Sequence, residues 1–179
     1  MAGSARLKDH WAEQRLFARR VLAAVVVMLL LVTALGARLY MHVRGSGCRA
    51  FMAPFDVLLP ESPGQEEDEV DTVVQPDVSV ICDPGRITPR GCRGAPDLAI
   101  EILSPYTAAK DMRVKRDLYE RHGVREYWIV DIGNRCVHAY RLADDRSYGE
   151  AETLVGSATL RSSVCPGFEL GLAELFADA

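Results

Sequence analysis

No Cys-x-x-Cys pair and no Cys/His cluster at zinc-ligand spacing occurs in this chain, which excludes the common zinc sites. There is no Ser-x-x-Lys pair, so acyl transfer through that nucleophile is excluded too. His122 and His138 have no sequence partners that would make a catalytic dyad. Internal repeats and low-complexity tracts are also lacking, so a repeat architecture is ruled out. The five cysteines, Cys48, Cys82, Cys92, Cys136 and Cys165, are odd in number and scattered. They read as small buried thiols of a reduced compartment.

A general excess of positive charge is missing as well, since the net charge is -4 over 179 residues. That total hides an asymmetry. Residues 1–44 carry seven Lys/Arg against Asp9 and Glu13, net +5, and the remaining 14 basic and 23 acidic residues leave -9. An acidic domain is a poor non-specific binder of nucleic acid, so such a role requires a local basic surface or metal ions.

What is present begins with Val21 to Ala37, VLAAVVVMLLLVTALGA, which contains no charge. Leu39-Tyr40 prolong it past Arg38. The length suits a retained membrane-spanning helix at the short end of the range, and no polar face exists that a buried soluble helix would show. Arg15, Arg19 and Arg20 precede the run, which places the N-terminus in the cytoplasm by the positive-inside rule. The predicted order is a basic cytoplasmic lead over 1–20, a transmembrane helix over 21–40, a linker over 41–48 with its Gly45-Ser46-Gly47 joint, and one domain over 49–179.

Within that domain, the stretch from Ala95 to Asp131 predicts a strand, a helix and a second strand. The first strand, Asp97 to Leu103, is an apolar run suited to cover on both faces, yet it holds Glu101, which is costly there. Ser104-Pro105 ends it. The helix runs from about Thr107 to His122 and is capped by Gly123. Met112, Leu118 and Tyr119 form its apolar stripe, and Lys115 falls on that stripe at helical spacing. The second strand, Glu126 to Asp131, is aromatic and β-branched. Glu101 and Lys115 thus admit two readings: parts of one chemical site, or a buried ion pair with a snorkelling lysine.

The other segments read more plainly. Arg49–Ala53 and Phe55–Leu59 predict a short strand pair interrupted by Pro54. Residues 62–71, SPGQEEDEVD, have the composition of a solvated acidic tip. Val73 to Cys82 predicts one strand with Asp77, Ser79 and Ile81 on one face and an irregular point at Pro76. Asp83 to Pro96 is a Gly/Pro loop whose Arg86, Arg90 and Arg93 offer a phosphate backbone its best contact in an acidic domain. Gly133-Asn134 marks a turn, Cys136 to Leu142 a strand, Ala143 to Gly149 a polar turn, and Glu152 to Arg161 one or two short strands. Leu170 to Phe176 predicts a terminal helix that lids the sheet.

Asp77, Glu101 and Lys115 therefore make a parts list. Two close carboxylates repel unless a divalent cation lies between them, and hard oxygen ligands suit Mg2+ or Mn2+. Such a metal acidifies bound water and stabilises phosphoryl charge, while a lysine orients that water and neutralises the transition state. Phosphodiester hydrolysis fits these parts. Tyr119 reads as core packing with a satisfied hydroxyl, Arg116 as a solvated charge, and Asp97 as a strand-start residue rather than an alternative acid.

The motifs APFDVLLP at 53–60, DTVVQPDVSVICDP at 71–84, GAPDLAIEILSP at 94–105, KRDLYERHGVREYWIVD at 115–131 and PGFELGLAELF at 166–176 resemble the Uma-two family of restriction endonucleases, within the PD-(D/E)XK nuclease superfamily. The resemblance covers roughly 48–179. It implies an α/β fold with a restriction-endonuclease-like mixed central sheet flanked by helices. It also implies DNA as substrate, a magnesium or manganese cofactor, and a homodimer as one form of assembly. Asp77 matches the PD aspartate and Glu101 the (D/E) position, both as metal ligands. The motif lysine falls at Leu103, so Lys115 from the following helix takes that catalytic place. Residues 1–44 resemble instead the membrane anchor of the elongation transpeptidase penicillin-binding protein 2. Family members open with a soluble helix and a strand pair carrying a further acid, and here an apolar segment stands in that place. This predicts an N-terminally truncated domain with part of its core uncovered. Two functions follow, a membrane-anchored metal-dependent endonuclease or a catalytically inactive remnant acting as an anchored binding or structural module. A cytoplasmic N-terminus would place the domain across the membrane, under oxidising conditions.

Overall fold

The computed structural model describes residues 2–103 and 109–177, with side chains described over 13–103 and 112–177. A long helix, α1 (Ala2–Val43), leads into β1 (Arg49–Met52), β2 (Val57–Leu58), β3 (Val73–Val74), β4 (Val78–Ile81), β5 (Ile87–Thr88), β6 (Gly91–Arg93) and β7 (Leu98–Leu103). Then follow α2 (Ala109–His122), β8 (Glu126–Asp131), β9 (Cys136–Arg141), β10 (Glu152–Val155), β11 (Thr159–Arg161), β12 (Glu169–Gly171) and the short α3 (Leu172–Leu175). The main sheet has the order β1-β4-β7-β8-β9-β10 and is mixed, because β7 and β8 run parallel while its other pairs are antiparallel. A parallel pair needs a crossover, and α2 supplies it.

Strand alternation divides the core between the two faces of this sheet. Val78, Val80, Leu98, Ile100, Ile102, Trp128, Val130, Val137 and Ala139 share one cluster with α1, and α3 closes on the same side. Ala99, Tyr127 and Ile129 point the other way and meet Tyr119 of α2. A second sheet, β3-β2-β6-β5, packs beyond Ile81 and Leu118.

The strand–helix–strand unit lies where the sequence puts it, with β8 at the predicted bounds. The helix start near Thr107 and the Ser104-Pro105 stop lie outside the described residues. Gly123 has φ +80°, the left-handed conformation of a helix-ending glycine.

Several expectations are corrected. The predicted pair of 49–53 and 55–59 does not form, since β1 pairs with β4 while β2 pairs with β3 and β6. Val73–Cys82 is two strands in two sheets, because Pro76 cannot donate to a ladder and the chain changes sheet there. The Gly/Pro loop contains the β5–β6 hairpin. The acidic tip is tied down, with a 3-10 turn over Glu67–Glu69 and Gln65 donating to the Glu69 carbonyl. The terminal helix is shorter than predicted, because Glu169–Gly171 is a strand. Cys48 and Cys82 form a disulfide across the β1–β4 ladder, one step beyond the Arg49–Ile81 pair, whereas Cys92, Cys136 and Cys165 are buried free thiols.

The largest correction concerns α1. Leu31, Val32, Leu35, Leu39 and Val43 recur at helical spacing and are buried on the sheet, with Val27 and Met28 packed beside them. The second half of the apolar run is therefore a core helix of the domain, and the face predicted to be uncovered is covered. Gly36 permits the close approach, since a Cβ there would collide with the Met52 side chain. The first half presents a run of apolar side chains to the outside, Leu22, Val25, Val26, Leu29 and Leu30, and the second half exposes Tyr40 and Met41 on the face away from the sheet. Among the described residues one helical segment, Glu13–Val43, is long and apolar enough to cross a membrane by length and composition.

Candidate active site

Asp77 stands at the break between β3 and β4, where leaving the ladder frees its side chain. Stepping the β4–β7 register one residue past Val78–Ile100 sets Asp77 opposite Glu101, and opposed residues on one face lie close together. The Asp77 carboxylate accepts the Ile102 amide at 2.7 Å. Glu101 is 7% exposed on the α2 face of β7. Its Oε2 accepts Lys115 Nζ at 2.7 Å and its Oε1 accepts the Tyr119 hydroxyl at 2.7 Å. Asp77 from the β3–β4 break, Glu101 from β7 and Lys115 from α2 thus border one cavity of about 190 Å³ with Gln75, Leu103 and Tyr127.

The electrostatics follow from that crowding. Burial raises the Asp77 carboxyl above the ordinary range, opposed by the Ile102 amide and by the charge of Lys115. Burial also raises Glu101, opposed by Lys115 and the Tyr119 hydroxyl and reinforced by the charge of Asp77. Both carboxylates hence resist ionising together without a cation beyond the lysine. Tyr119 is pushed up by burial and then by the Glu101 charge, so its proton stays on the phenol. It is a packed and satisfied side chain, as the sequence indicates.

The cavity fits a hard divalent ion. Two carboxylates supply charged oxygen donors, and the buried Tyr127 hydroxyl beside them has no hydrogen-bond partner among the described residues. A space of about 190 Å³ holds several waters at about 30 Å³ each. Sequence reasoning missed Tyr127, Gln75 and Met28 on this wall. Tyr127 was within reach, since strand alternation places it on the face of Ala99 and Ile129. Gln75 donates to Asp56 at 2.6 Å, which brings a further acid close behind the cavity.

Other predicted residues lie elsewhere. Asp97 accepts the Cys82 amide at 2.7 Å and lies 3.3 Å from an Arg125 nitrogen, so it anchors the start of β7. Arg116 is not a solvated charge, because it lies over the Tyr140 ring and donates to the Tyr148 carbonyl at 3.2 Å. The arginine loop is not beside the acids. Arg86 donates to the Ala95 carbonyl at 2.7 Å, Arg90 pairs with Asp68, and Arg93 donates to the Gln65 carbonyl. One mixed cluster went unseen. Asp131, Cys136 and His138 have ligand-type atoms within 4.8 Å of one another on the β8–β9 hairpin. Each already has a partner, Asn134 for Asp131 and Thr153 for His138, with Cys136 against His138.

Comparison with known proteins agrees with the fold. The model of a family described as "Putative restriction endonuclease" (Uma2) matches residues 28–173. The match begins inside the segment likened above to a transpeptidase anchor, and takes in the docked half of α1. Among solved structures, the crystal structure of a putative nuclease belonging to DUF820 from Anabaena variabilis ATCC 29413 is similar. It has 22% sequence identity, a TM-score of 0.67, and coverage of 84% of this chain and 80% of the other. No curated protein matches the chain significantly.

Proposed function

Because the chain belongs to the Uma2 family of putative restriction endonucleases, as the match over residues 28–173 shows, we propose that it hydrolyses DNA phosphodiester bonds with Mg2+ or Mn2+ at the Asp77–Glu101–Lys115 cavity. The observation that carries this is the convergence of two desolvated carboxylates and one ammonium group on a small polar space. Asp77 and Glu101 would hold the ion, which when bound supplies a Lewis acid and an acidified water. Lys115 donates a hydrogen bond into the same space and balances the charge that builds on a phosphoryl oxygen. Tyr119 fixes the Glu101 rotamer, and the Ile102 amide fixes that of Asp77. Leu103 fills the place where the superfamily motif carries lysine, so the ammonium arrives from α2.

The test is metal-dependent nicking of supercoiled plasmid by the full chain in mild detergent. Asp77→Ala and Lys115→Ala should each abolish it, and nicking that survives both would refute the assignment. A silent-domain reading has one observation in its favour, since both Glu101 oxygens already accept internal donors. Magnesium calorimetry separates the two, because only the enzyme should bind the ion in an Asp77-dependent way.

Attachment to a membrane is the second part of the proposal. It draws on Leu22, Val25, Val26, Leu29 and Leu30, exposed behind Arg15, Arg19 and Arg20. We place this first half of α1 at the membrane surface, with the second half on the sheet.

A further inference from the structure

A larger cavity of about 720 Å³ lies near the start of β7, at the end of the sheet opposite the acid–lysine cluster. Glu101 is six residues beyond Ala95 in this wall, about 20 Å along an extended strand. Lys115 is seven residues before His122, about 10 Å along the helix. The second cavity is therefore a separate place from the first.

Its cationic groups are Arg86, Arg93, Arg121 and Arg146, with the His122 imidazole among them, and its acids are Glu61 and Asp83. Both acids are already matched, Glu61 with Arg121 at 3.2 Å and Asp83 with Arg86 at 3.5 Å. Arg93 has no carboxylate partner, and the Arg146 guanidinium makes no hydrogen bond or ion pair among the described residues. Two uncompensated guanidinium groups thus face one space in a domain whose residues after 44 sum to -9.

A second observation points to a ligand. Three buried side-chain polar atoms among the described residues lack a hydrogen-bond partner, and two of them, Arg93 Nε and His122 Nε2, belong to this wall. The His122 side chain is 9% exposed, and its Nε2 lies 3.5 Å from Glu61 without a hydrogen bond. Buried polar atoms are seldom left orphaned in a native fold. The geometry is also built. At Gly123 a Cβ would come within 2.9 Å of Arg146 Nη2, so the glycine that ends α2 leaves room for that guanidinium.

We infer that this cavity binds the phosphate group of an anionic ligand, gripped by Arg93 and Arg146 with His122 as a third contact. Guanidinium forks match phosphate oxygens in geometry as well as charge. The phosphate arrives either on a nucleotide or in the backbone of a nucleic acid. The inference stands independently of hydrolysis at the other cavity.

The probes are inorganic pyrophosphate, thymidine 5′-monophosphate and a short labelled DNA duplex, each titrated into the full chain in mild detergent without divalent metal. Saturable binding is expected, weakened about tenfold or more by Arg146→Gln and by Arg93→Gln, and unchanged by Asp77→Asn. Pyrophosphate displaced by the mononucleotide assigns the site to nucleotides, and displacement by the duplex alone assigns it to backbone phosphate. Either supports the inference. No saturation with any probe overturns it, as does full affinity in Arg146→Gln, an exposed position where the fold should persist. Loss of plasmid nicking with pyrophosphate binding intact would count against the nuclease reading alone.

Discussion

The pairing of Glu101 with Lys115 gives a stability prediction that needs no substrate. Lys115→Met keeps the stem that packs beside the cavity and removes the ammonium 2.7 Å from Glu101. What remains is a carboxylate 9% exposed, held by Tyr119 and repelled by Asp77. Removing one member of a buried pair costs about 3–5 kcal/mol. Because the lysine is 34% exposed, water already screens part of the pair, and about 2–3 kcal/mol is the appropriate size. That is a fall in Tm of about 5–10 °C for a chain of this length.

The sign with pH is fixed by linkage. Burial raises Glu101 in the folded state, and Lys115 opposes the rise, so the substitution raises it further. A carboxyl raised on folding binds its proton more tightly in the native state, and stability falls as pH climbs through the window between the unfolded and folded values. The deficit should be full at pH 8, shrink as pH falls through the raised folded-state range, and be gone by about pH 3, where the carboxyl is neutral in both states. Glu101→Gln in the Lys115→Met background should restore about 2 kcal/mol, read as the coupling in a double-mutant cycle by thermal unfolding. Equal stability of Lys115→Met and the parent at pH 8, an equal deficit at low pH, or zero coupling would each refute the reasoning.

Three further outcomes are expected. Plasmid nicking should decline on acidification from a pH above the usual carboxylate range of about 4, because desolvation raises both Asp77 and Glu101; rate profiles at two magnesium concentrations check this, and the limb should move to lower pH with more metal. The Cys48–Cys82 bond closes a separation of 34 residues, worth about 3–4 kcal/mol in chain entropy, so reductant should lower Tm and Cys82→Ser should remove that sensitivity. Leu35→Lys, at a fully buried position, should unfold the domain, whereas Leu29→Lys, 55% exposed, should leave Tm within about 1 °C and weaken co-sedimentation with phosphatidylcholine vesicles.

The parts legible in the sequence are those where one physical pattern dominates. Strands β7 and β8 are apolar runs because both their faces are covered, and α2 has a stripe that ends at a glycine. The split of Val73–Cys82 was not legible, since two-residue strands hold too little alternation to betray their sheet. Neither was the Cys48–Cys82 bond, which follows from the β1–β4 register and not from spacing along the chain. Glu101 and Lys115 could be singled out as charges where apolar residues belong. For Tyr127 strand alternation gives the face, but a buried tyrosine is ordinary until its hydroxyl is found without a partner among the described residues. The basic cavity is assembled from Arg93, His122 and Arg146, which only the fold brings together.

Helix α1 shows how a correct composition can yield a misplaced boundary. The apolar run reads as one object because nothing within it changes. Packing divides it near Leu31, where the helix begins to bury Leu31, Val32, Leu35, Leu39 and Val43. From Val21 to Val26 the apolar part clear of the core is about 9 Å long, under a third of the roughly 30 Å of hydrocarbon in a bilayer, and beyond it Val27 and Met28 already pack beside the sheet. Crossing would require the docked half to leave the sheet. Five large buried side chains at about 1.5–3 kcal/mol each would then lose their packing, a sum similar to the whole stability of a domain. A bilayer would shelter the helix side chains but not Val80, Ile100 or Trp128 beneath them. The folded domain and a complete span therefore compete for the same residues. With the domain folded, the proposed attachment is therefore one in which the first half of α1 lies along the membrane surface and does not cross it.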